Sequence, residues 1–318
     1  MNHGREAWNE KNRKIFIGCG MMIVILWILS STDLILKEKK TEVHRISVIA
    51  DSSEETDWEY FLKGMEYAAD QYHAEVQLLT MYDEVSQQKQ NEIIEKEALG
   101  EAQILIVSPV NVEEFQQFLV ENSLKEKSVI TLNTEVQSDK IVSCIYADET
   151  ERARQLGDMI AENAEGEKKA WIGVKEEKWD STRQFYNSLK QTLESHGIKT
   201  FLQIWNDEIE LQEIFKREEN LFVGLDKRTT ELLAENKKKE SRKIFGNGIN
   251  SSIVHSMENG IIEGIATINE MDMGCLAAAN AVELLEGNKI TNLLIDQKTI
   301  LSDEMYSKRY EQILFPVF

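Results

Sequence analysis

Ten short apolar segments alternate with amphipathic segments along most of this chain, and that alternation limits the possible folds more than any other feature. Several segments, such as Ile104–Val107, are continuous apolar runs typical of strands that are covered on both faces. The strands predicted from these runs are Ile46–Ala50, Val76–Met81, Ile104–Ser108, Val129–Asn133, Val142–Tyr146, Ala170–Val174, Phe201–Trp205, Leu221–Leu225, Lys243–Gly246 and Ile265–Ile268. Strand–helix alternation of this length predicts parallel sheets built from right-handed βαβ units.

The intervening segments have the spacing of amphipathic helices. Between Trp58 and His73, for example, apolar residues recur at i, i+3 and i+4. The predicted helices are Trp58–His73, Gln87–Leu99, Val112–Leu124, Glu151–Asn163, Arg183–Ser195, Lys227–Lys238, Ser252–Asn259 and Gly274–Leu285. Ten strands are too many for one compact sheet with such short links, so an α/β protein of two doubly wound lobes is expected.

One apolar run near the start, Ile15–Leu36, has the length that a membrane-spanning helix needs. Basic residues flank both ends almost equally, so charge does not decide the orientation. A cleaved signal peptide would also be apolar here, but it would end in small residues, and Ser30-Ser31 is a poor substitute. A lipid-modified cysteine would close the apolar run, whereas Cys19 precedes most of it. The prediction is an uncleaved transmembrane anchor.

Composition excludes several function classes. A net charge of −20 opposes binding to nucleic acid and to anionic membrane surfaces. Histidines are scattered and no metal-ligand motif, glycine-rich nucleotide loop or nucleophile elbow is present, so no metal or cofactor is expected. Cys144 and Cys275 are expected to be small buried side chains, although a disulfide between them stays open.

Polar residues cluster just after the predicted strands. Ligands of parallel sheets bind beyond the carboxyl ends of the strands, and these positions are rich in Asp, Asn, Trp and Arg. Such residues predict a cleft for a polar ligand. The alternative is that strand-end Asp and Asn only cap the next helix.

The order of motifs resembles a known family. Ile46–Asp51 with Trp58, Gln90–Glu95 with Ala102–Pro109, and Ser128–Asn133 are followed by Tyr146–Asp148 and by the closing segments at 244–250, 258–262 and 268–274. From Arg45 to about Lys289 this pattern is similar to type I periplasmic binding proteins of the sugar-binding group. The resemblance implies two Rossmann-like lobes joined by three crossovers, with a sugar-like ligand between them outside the cytoplasm.

Carried over residue by residue, the resemblance implies a set of ligand contacts. Trp58 would stack on a ring face, and Arg183 would supply a planar fork of donors. Polar contacts to hydroxyls would come from Asn133, Asp148, Asp226, Asn247, Asn250 and Asn269. The chain departs from the family at Thr134, where close sugar binders often carry Arg.

These observations predict a membrane-anchored solute-binding protein that is not an enzyme. The expected organisation is a cytoplasmic tail (1–14), an anchor (15–36), a linker (37–45), a first lobe (46–148 plus about 270–292) and a second lobe (149–269 plus about 293–318). Its expected partner is an ABC permease for uptake or a membrane histidine kinase for sensing. The less favoured alternatives are an α/β enzyme and a regulator of the lac-repressor type.

Overall fold

A computed structural model describes residues 18, 20–25, 27, 43–82, 84–208, 210, 220–237 and 241–316. The predicted anchor over 15–36 falls mostly outside these residues, as do the tail over 1–14 and most of the linker over 37–45. In the part of the chain that is described, no helix is both long and apolar enough to cross a membrane. The chain divides into a unit up to Val43 and a compact unit, His44–Phe318, which carries both sheets.

The first sheet is built from parallel strands in the order β11-β5-β4-β3-β1-β2. Its strands are β1 (His44–Ile49), β2 (Ala74–Leu79), β3 (Ile104–Val107), β4 (Ser128–Leu132), β5 (Ile141–Tyr146) and β11 (Leu293–Leu294). All four residues of β3 are buried, as its unbroken apolar run predicts.

The second sheet has the order β12-β10-β9-β8-β6-β7. Its strands are β6 (Lys169–Lys175), β7 (Lys199–Trp205), β8 (Leu221–Gly224), β9 (Lys243–Asn247), β10 (Gly264–Ile268) and β12 (Gln297–Leu301). All ten predicted strands are present, and β11 and β12 are additions. The expectation of purely parallel sheets is wrong at one edge, because β12 runs antiparallel to β10.

Helices cover both faces of each sheet. They are α1 (Glu59–Tyr72), α2 (Gln87–Leu99), α3 (Val112–Glu121), α4 (Glu149–Asn163), α5 (Trp179–Ser195), α6 (Lys227–Glu235), α7 (Ser251–Glu258), α8 (Glu270–Leu285) and α9 (Glu311–Leu314). The first sheet buries its core against α1 and α8 on one face and α2 and α3 on the other. The second sheet packs on α4 and α5 on one face and α6, α7 and α9 on the other.

Three helix ends illustrate how the boundaries differ from the predicted ones, and at one of them a side-chain cap sets the boundary. The predicted helix 112–124 ends at Glu121, and the one predicted from Arg183 begins at Trp179. The last long helix begins at Glu270, four residues before the predicted Gly274, because the Asn269 side chain caps it.

Each lobe consists of one sheet and its helices, and three passages of the chain join the two lobes. They lie between β5 and α4, between β10 and α8, and between β11 and β12. Near the second passage α1 and α8 come into close contact at two glycines. A Cβ on Gly64 would lie 2.0 Å from the Met271 carbonyl oxygen, and one on Gly274 would lie 2.0 Å from that of Phe61. Only glycine fits this crossing.

Candidate functional site in the interlobe cleft

A cavity of about 290 Å³ lies between the two sheets. Its walls come from residues at the carboxyl ends of strands in both lobes, including Asp51 after β1, Asn133 after β4 and Asp226 after β8. This is the place where open parallel sheets bind ligands. The volume is at the small end of the range for ligand pockets, which suits a small molecule.

Four of the predicted site residues line this cavity: Trp58, Asn133, Asp226 and Asn247. Asn133 adopts a left-handed backbone (φ 63°) and donates through Nδ2 to the Ser108 hydroxyl at 3.0 Å. Left-handed backbone is easier for Asn than for most residues. The turn therefore holds the Asn133 side chain at the end of β4.

Trp58 and Asn247 each bury a polar atom that has no hydrogen-bond partner in the described part of the chain. The Trp58 side chain is 5% exposed and packs edge-on against Phe61, and its Nε1 is the unpaired atom. Asn247 donates through Nδ2 to the Leu225 carbonyl at 3.0 Å and leaves its Oδ1 unpaired. Because buried polar atoms are rarely left unpaired, we expect a ligand or a water molecule to form the missing hydrogen bond with each of these two atoms. The predicted stacking of Trp58 on a ligand ring stays a prediction.

Asp226 lines the cavity and also caps a helix. Its Oδ1 accepts from the Thr229 amide at 2.8 Å, and its Oδ2 accepts from the Thr229 hydroxyl at 2.6 Å and the Lys175 amide at 2.9 Å. Burial raises the pKa of Asp226 and outweighs these hydrogen bonds, which act to lower it. The carboxylate is thus fixed by neutral donors and retains acceptor capacity.

The other four predicted residues lie outside the cavity lining. Asp148, Asn250 and Asn269 cap α4, α7 and α8 by accepting from backbone amides of their first turns. Arg183 has a 56% exposed side chain, bonds Asp180 and lies over the Trp179 ring. Their ligand contacts are untested predictions, and the capping alternative describes the geometry of the first three.

Most of the charged side chains in the cavity wall belong to residues that the sequence motifs did not indicate. Lys178, in the 3₁₀ turn Glu176–Lys178 of the second lobe, reaches Asp51 Oδ1 at 3.0 Å and Asp57 Oδ2 at 3.7 Å in the first lobe. Burial alone would lower the pKa of Lys178, but the two carboxylates outweigh it and the pKa is raised. Lys178 therefore stays charged and forms an ion pair across the cleft.

Lys227 makes a second bridge of the same kind. Its ammonium lies 2.8 Å from Glu270 Oε2 and also donates to the backbone carbonyl of Asp57. Burial raises the pKa of Glu270, and the charge of Lys227 opposes that rise. Both lysines belong to the second lobe, and both contact Asp57 in the first.

Arg152, in the first turn of α4, pairs with Glu149. Its Nη2 donates to Glu149 Oε2 at 2.6 Å, and the guanidinium carbon lies 5.3 Å from the centre of the Phe185 ring. Burial raises the pKa of Glu149, while Arg152 acts to lower it. Nothing in the local sequence distinguishes Arg152 from Arg154, so only the tertiary structure identifies it.

Carboxyl groups outnumber cations in the cavity wall. Each of the three cations, Arg152, Lys178 and Lys227, already has a carboxylate partner. The carboxylates of the wall are Asp51, Asp57, Glu149, Asp180, Asp226 and Glu270. An anionic ligand would therefore find each of these cations already paired, and burying its charge without a partner is unfavourable. Within the described residues, no group of three His, Cys, Asp or Glu side chains is placed to hold a metal ion.

Comparison with known proteins adds a family and a set of similar structures. Residues 46–289 match the model of a periplasmic binding protein domain. A search of curated proteins found no significant match.

Many solved structures share the fold. An ABC transporter solute-binding protein from Agrobacterium vitis, bound with α-D-tagatopyranose, superposes with a TM-score of 0.75 at 16% identity, covering 86% of this chain and 100% of that one. A carbohydrate transporter solute-binding protein from Agrobacterium radiobacter, in complex with D-arabinose, gives 0.73 at 16% identity and covers 86% and 99%. GanP, a glucose-galactose binding protein from Geobacillus stearothermophilus, gives 0.68 at 17% identity and covers 83% and 99%.

Proposed function

Because the chain belongs to the periplasmic binding protein domain family, we propose that it is an extracytoplasmic solute-binding protein that closes two lobes around a small, polar, sugar-like ligand. The observation that carries this proposal is an interlobe cavity lined by residues that each bury an unpaired polar atom. Trp58 Nε1 and Arg152 Nε are donors, and Asn247 Oδ1 is an acceptor. A hydroxyl group both donates and accepts, so a polyhydroxy ligand can complete all three.

The test is a thermal unfolding screen of the full chain in detergent. The probes are D-tagatose, D-arabinose, D-glucose and D-galactose, the sugars named for the similar structures. A ligand that binds the native state raises the unfolding temperature by mass action. We expect at least one sugar to do so, and Asn247→Ala to abolish the effect because it removes the unpaired acceptor.

The control variant is Asn259→Ala. Asn259 is exposed, and within the described part of the chain its side chain bonds His255 of its own helix. It should leave the sugar response unchanged. A wild-type protein that responds to no sugar, or an Asn247→Ala variant that responds like wild type, would contradict the proposal.

The proposal includes tethering to the cell membrane through residues 15–36, with the large unit outside. Its support is the apolar run and the family's extracytoplasmic setting, and neither fixes the orientation by itself. Membrane fractionation tests the tether. Protease added to intact cells tests the orientation, since the large unit should be digested while a cytoplasmic marker survives.

A membrane protein that recognises the closed form is the proposed partner, either an ABC permease or a histidine kinase. We further propose that binding involves no chemistry. Uptake of the radiolabelled sugar by cells with and without this protein distinguishes transport from sensing. Recovery of the sugar unchanged after incubation tests the absence of catalysis.

A further inference from the structure

Arg152 and Arg154 stand two residues apart on α4, and each pairs with the Glu three residues before it. Arg154 is half exposed, and it bonds Glu151 and Asp158 at the surface. Arg152 is 12% exposed and lies in the cavity wall, against Glu149. The same local sequence pattern therefore places one arginine in solvent and the other beside the ligand space.

The buried guanidinium is incompletely satisfied. Arg152 Nε is buried and has no acceptor in the described part of the chain, while Nη2 is taken by Glu149. A guanidinium holds its N–H donors in one rigid plane, so the group that completes Nε must lie in that plane. Asn247 and Trp58, which line the same cavity, also have unpaired atoms.

The charge of Arg152 is already compensated. Glu149 neutralises it, and its field also reaches Glu270 in the same wall, where it acts to lower that carboxyl's pKa. What Arg152 still lacks is an acceptor atom. A neutral hydroxyl or ring oxygen supplies one without bringing a second negative charge to the Arg152–Glu149 pair.

We propose that Arg152 selects the ligand of this cleft, by donating from its incompletely satisfied guanidinium to one oxygen of an uncharged polyhydroxy molecule. This inference rests on the proposed function and adds to it the residue that discriminates among sugars. Arg183, which the family resemblance pointed to, is exposed and engaged with Asp180 instead.

The test is a thermodynamic cycle between one side chain and one ligand oxygen. The ligand is whichever of D-tagatose, D-arabinose, D-glucose and D-galactose binds the full chain, compared with its monodeoxy analogues by calorimetry. Removing Arg152 alone would leave Glu149 buried and unpaired, which is costly. The variant is therefore the pair Glu149→Gln and Arg152→Met, and the control is the pair Glu151→Gln and Arg154→Met.

In wild type, one deoxy analogue should bind about 10- to 100-fold more weakly than its parent, as expected for a hydrogen bond to a charged group. In the Arg152 variant that ratio should fall to near one, while ratios for the other analogues stay unchanged. The control variant should keep all wild-type ratios. A purely structural role would weaken every sugar by one common factor.

A second variant, Arg152→Lys, keeps the charge and so guards against misfolding, but it loses the planar fork. It should unfold cooperatively near the wild-type temperature and still lose the selective ratio. If wild type binds a sugar and every ratio is the same in wild type and both Arg152 variants, the inference about Arg152 is overturned and the proposed function stands. If no sugar binds wild type, both are overturned.

Discussion

The ion pairs made by Lys178 predict how the cleft responds when that charge is removed. Lys178 lies 3.0 Å from Asp51 and 3.7 Å from Asp57, and all three side chains are less than one-fifth exposed. Lys178→Met keeps the volume of the side chain but leaves two carboxylates facing a desolvated gap. The closed cleft should then become unfavourable relative to an open one, in which water reaches both carboxylates.

The size of the effect follows from the distances. At an effective dielectric constant of about 20, each of the two attractions is worth roughly 5 kcal/mol before the loss of hydration, which costs several kcal/mol per ion. Removing one partner of a buried pair costs about 3–5 kcal/mol net. That is a change of about two to three and a half orders of magnitude in the ratio of closed to open molecules.

Small-angle X-ray scattering of residues 43–318 without ligand measures this ratio, because His44–Phe318 is a compact unit that carries both lobes. The wild-type curve should fit the present structure, in which Lys178 bridges the lobes, and Lys178→Met should increase the radius of gyration. Lys190→Met is the matched control, because Lys190 is exposed and its ammonium lies 4.0 Å from Glu194, too far for a strong ion pair. Equal radii for the two variants, or a wild type that is already open, would refute the reasoning.

Three further changes test the packing and the titrating groups. Gly64→Ala should lower the free energy of unfolding by at least about 3 kcal/mol in chemical denaturation, because the added methyl would collide with the backbone of a neighbouring helix. The control Gly100→Ala, whose methyl would have contacts of 3.4 Å or more, should change it by no more than about 0.5 kcal/mol. Tyr60→Phe, which leaves the buried Leu314 carbonyl unpaired, should cost about 1–3 kcal/mol. Burial raises the pKa of Tyr60 to about 12. The stability that the neutral Tyr60 hydroxyl contributes in wild type should therefore be complete below pH 10 and be lost as the pH rises toward 12, whereas the variant should show no such loss. Hydrogen bonds from neighbouring side chains lower the pKa of Glu151 to about 2, so Glu151→Gln should lose a few tenths of a kcal/mol above pH 4.5, a difference that disappears as the pH falls to 2.

The sequence predicts the strands that are buried on both faces and misses β11 and β12, which form one edge of each sheet. Continuous apolar runs such as Ile104–Val107 have no other stable environment than the middle of a covered sheet. β12, Gln297–Leu301, mixes polar and apolar residues because it lies at an edge and is only partly buried. β11 is two residues long, which is too short for any periodic pattern.

The site is predicted less well, because two functions use the same residue types at the same place. Asp and Asn after a strand suit both a helix cap and a polar ligand, and at Asp148, Asn250 and Asn269 the structure shows a cap. Asp226 does both, since it caps α6 and lines the cavity. Sequence spacing cannot separate these cases, because the distinction depends on which direction the strand end faces.

Lys178 and Arg152 illustrate a second limit. In sequence, each belongs to a turn or helix start with the composition of an ordinary charged surface. Lys178 reaches Asp51 in the other lobe, and Arg152 lines the interlobe cavity. Pairing of Lys178 with Asp51 spans 127 positions of the chain. Local patterns carry no information at that range.

The two proposals assign closure and recognition to different side chains, and this separation has a measurable consequence. If only the closed form binds, the apparent dissociation constant is the intrinsic one divided by the closed fraction. Lys178→Met should weaken every sugar by one common factor, equal to its reduction of the closed fraction, and leave the ratios between sugars unchanged. The Glu149→Gln and Arg152→Met pair should change those ratios while scattering from the ligand-free protein stays that of wild type. A Lys178 variant that altered selectivity would mean that the ammonium contacts the ligand itself, and that the ion pair with Asp51 and Asp57 is broken on binding.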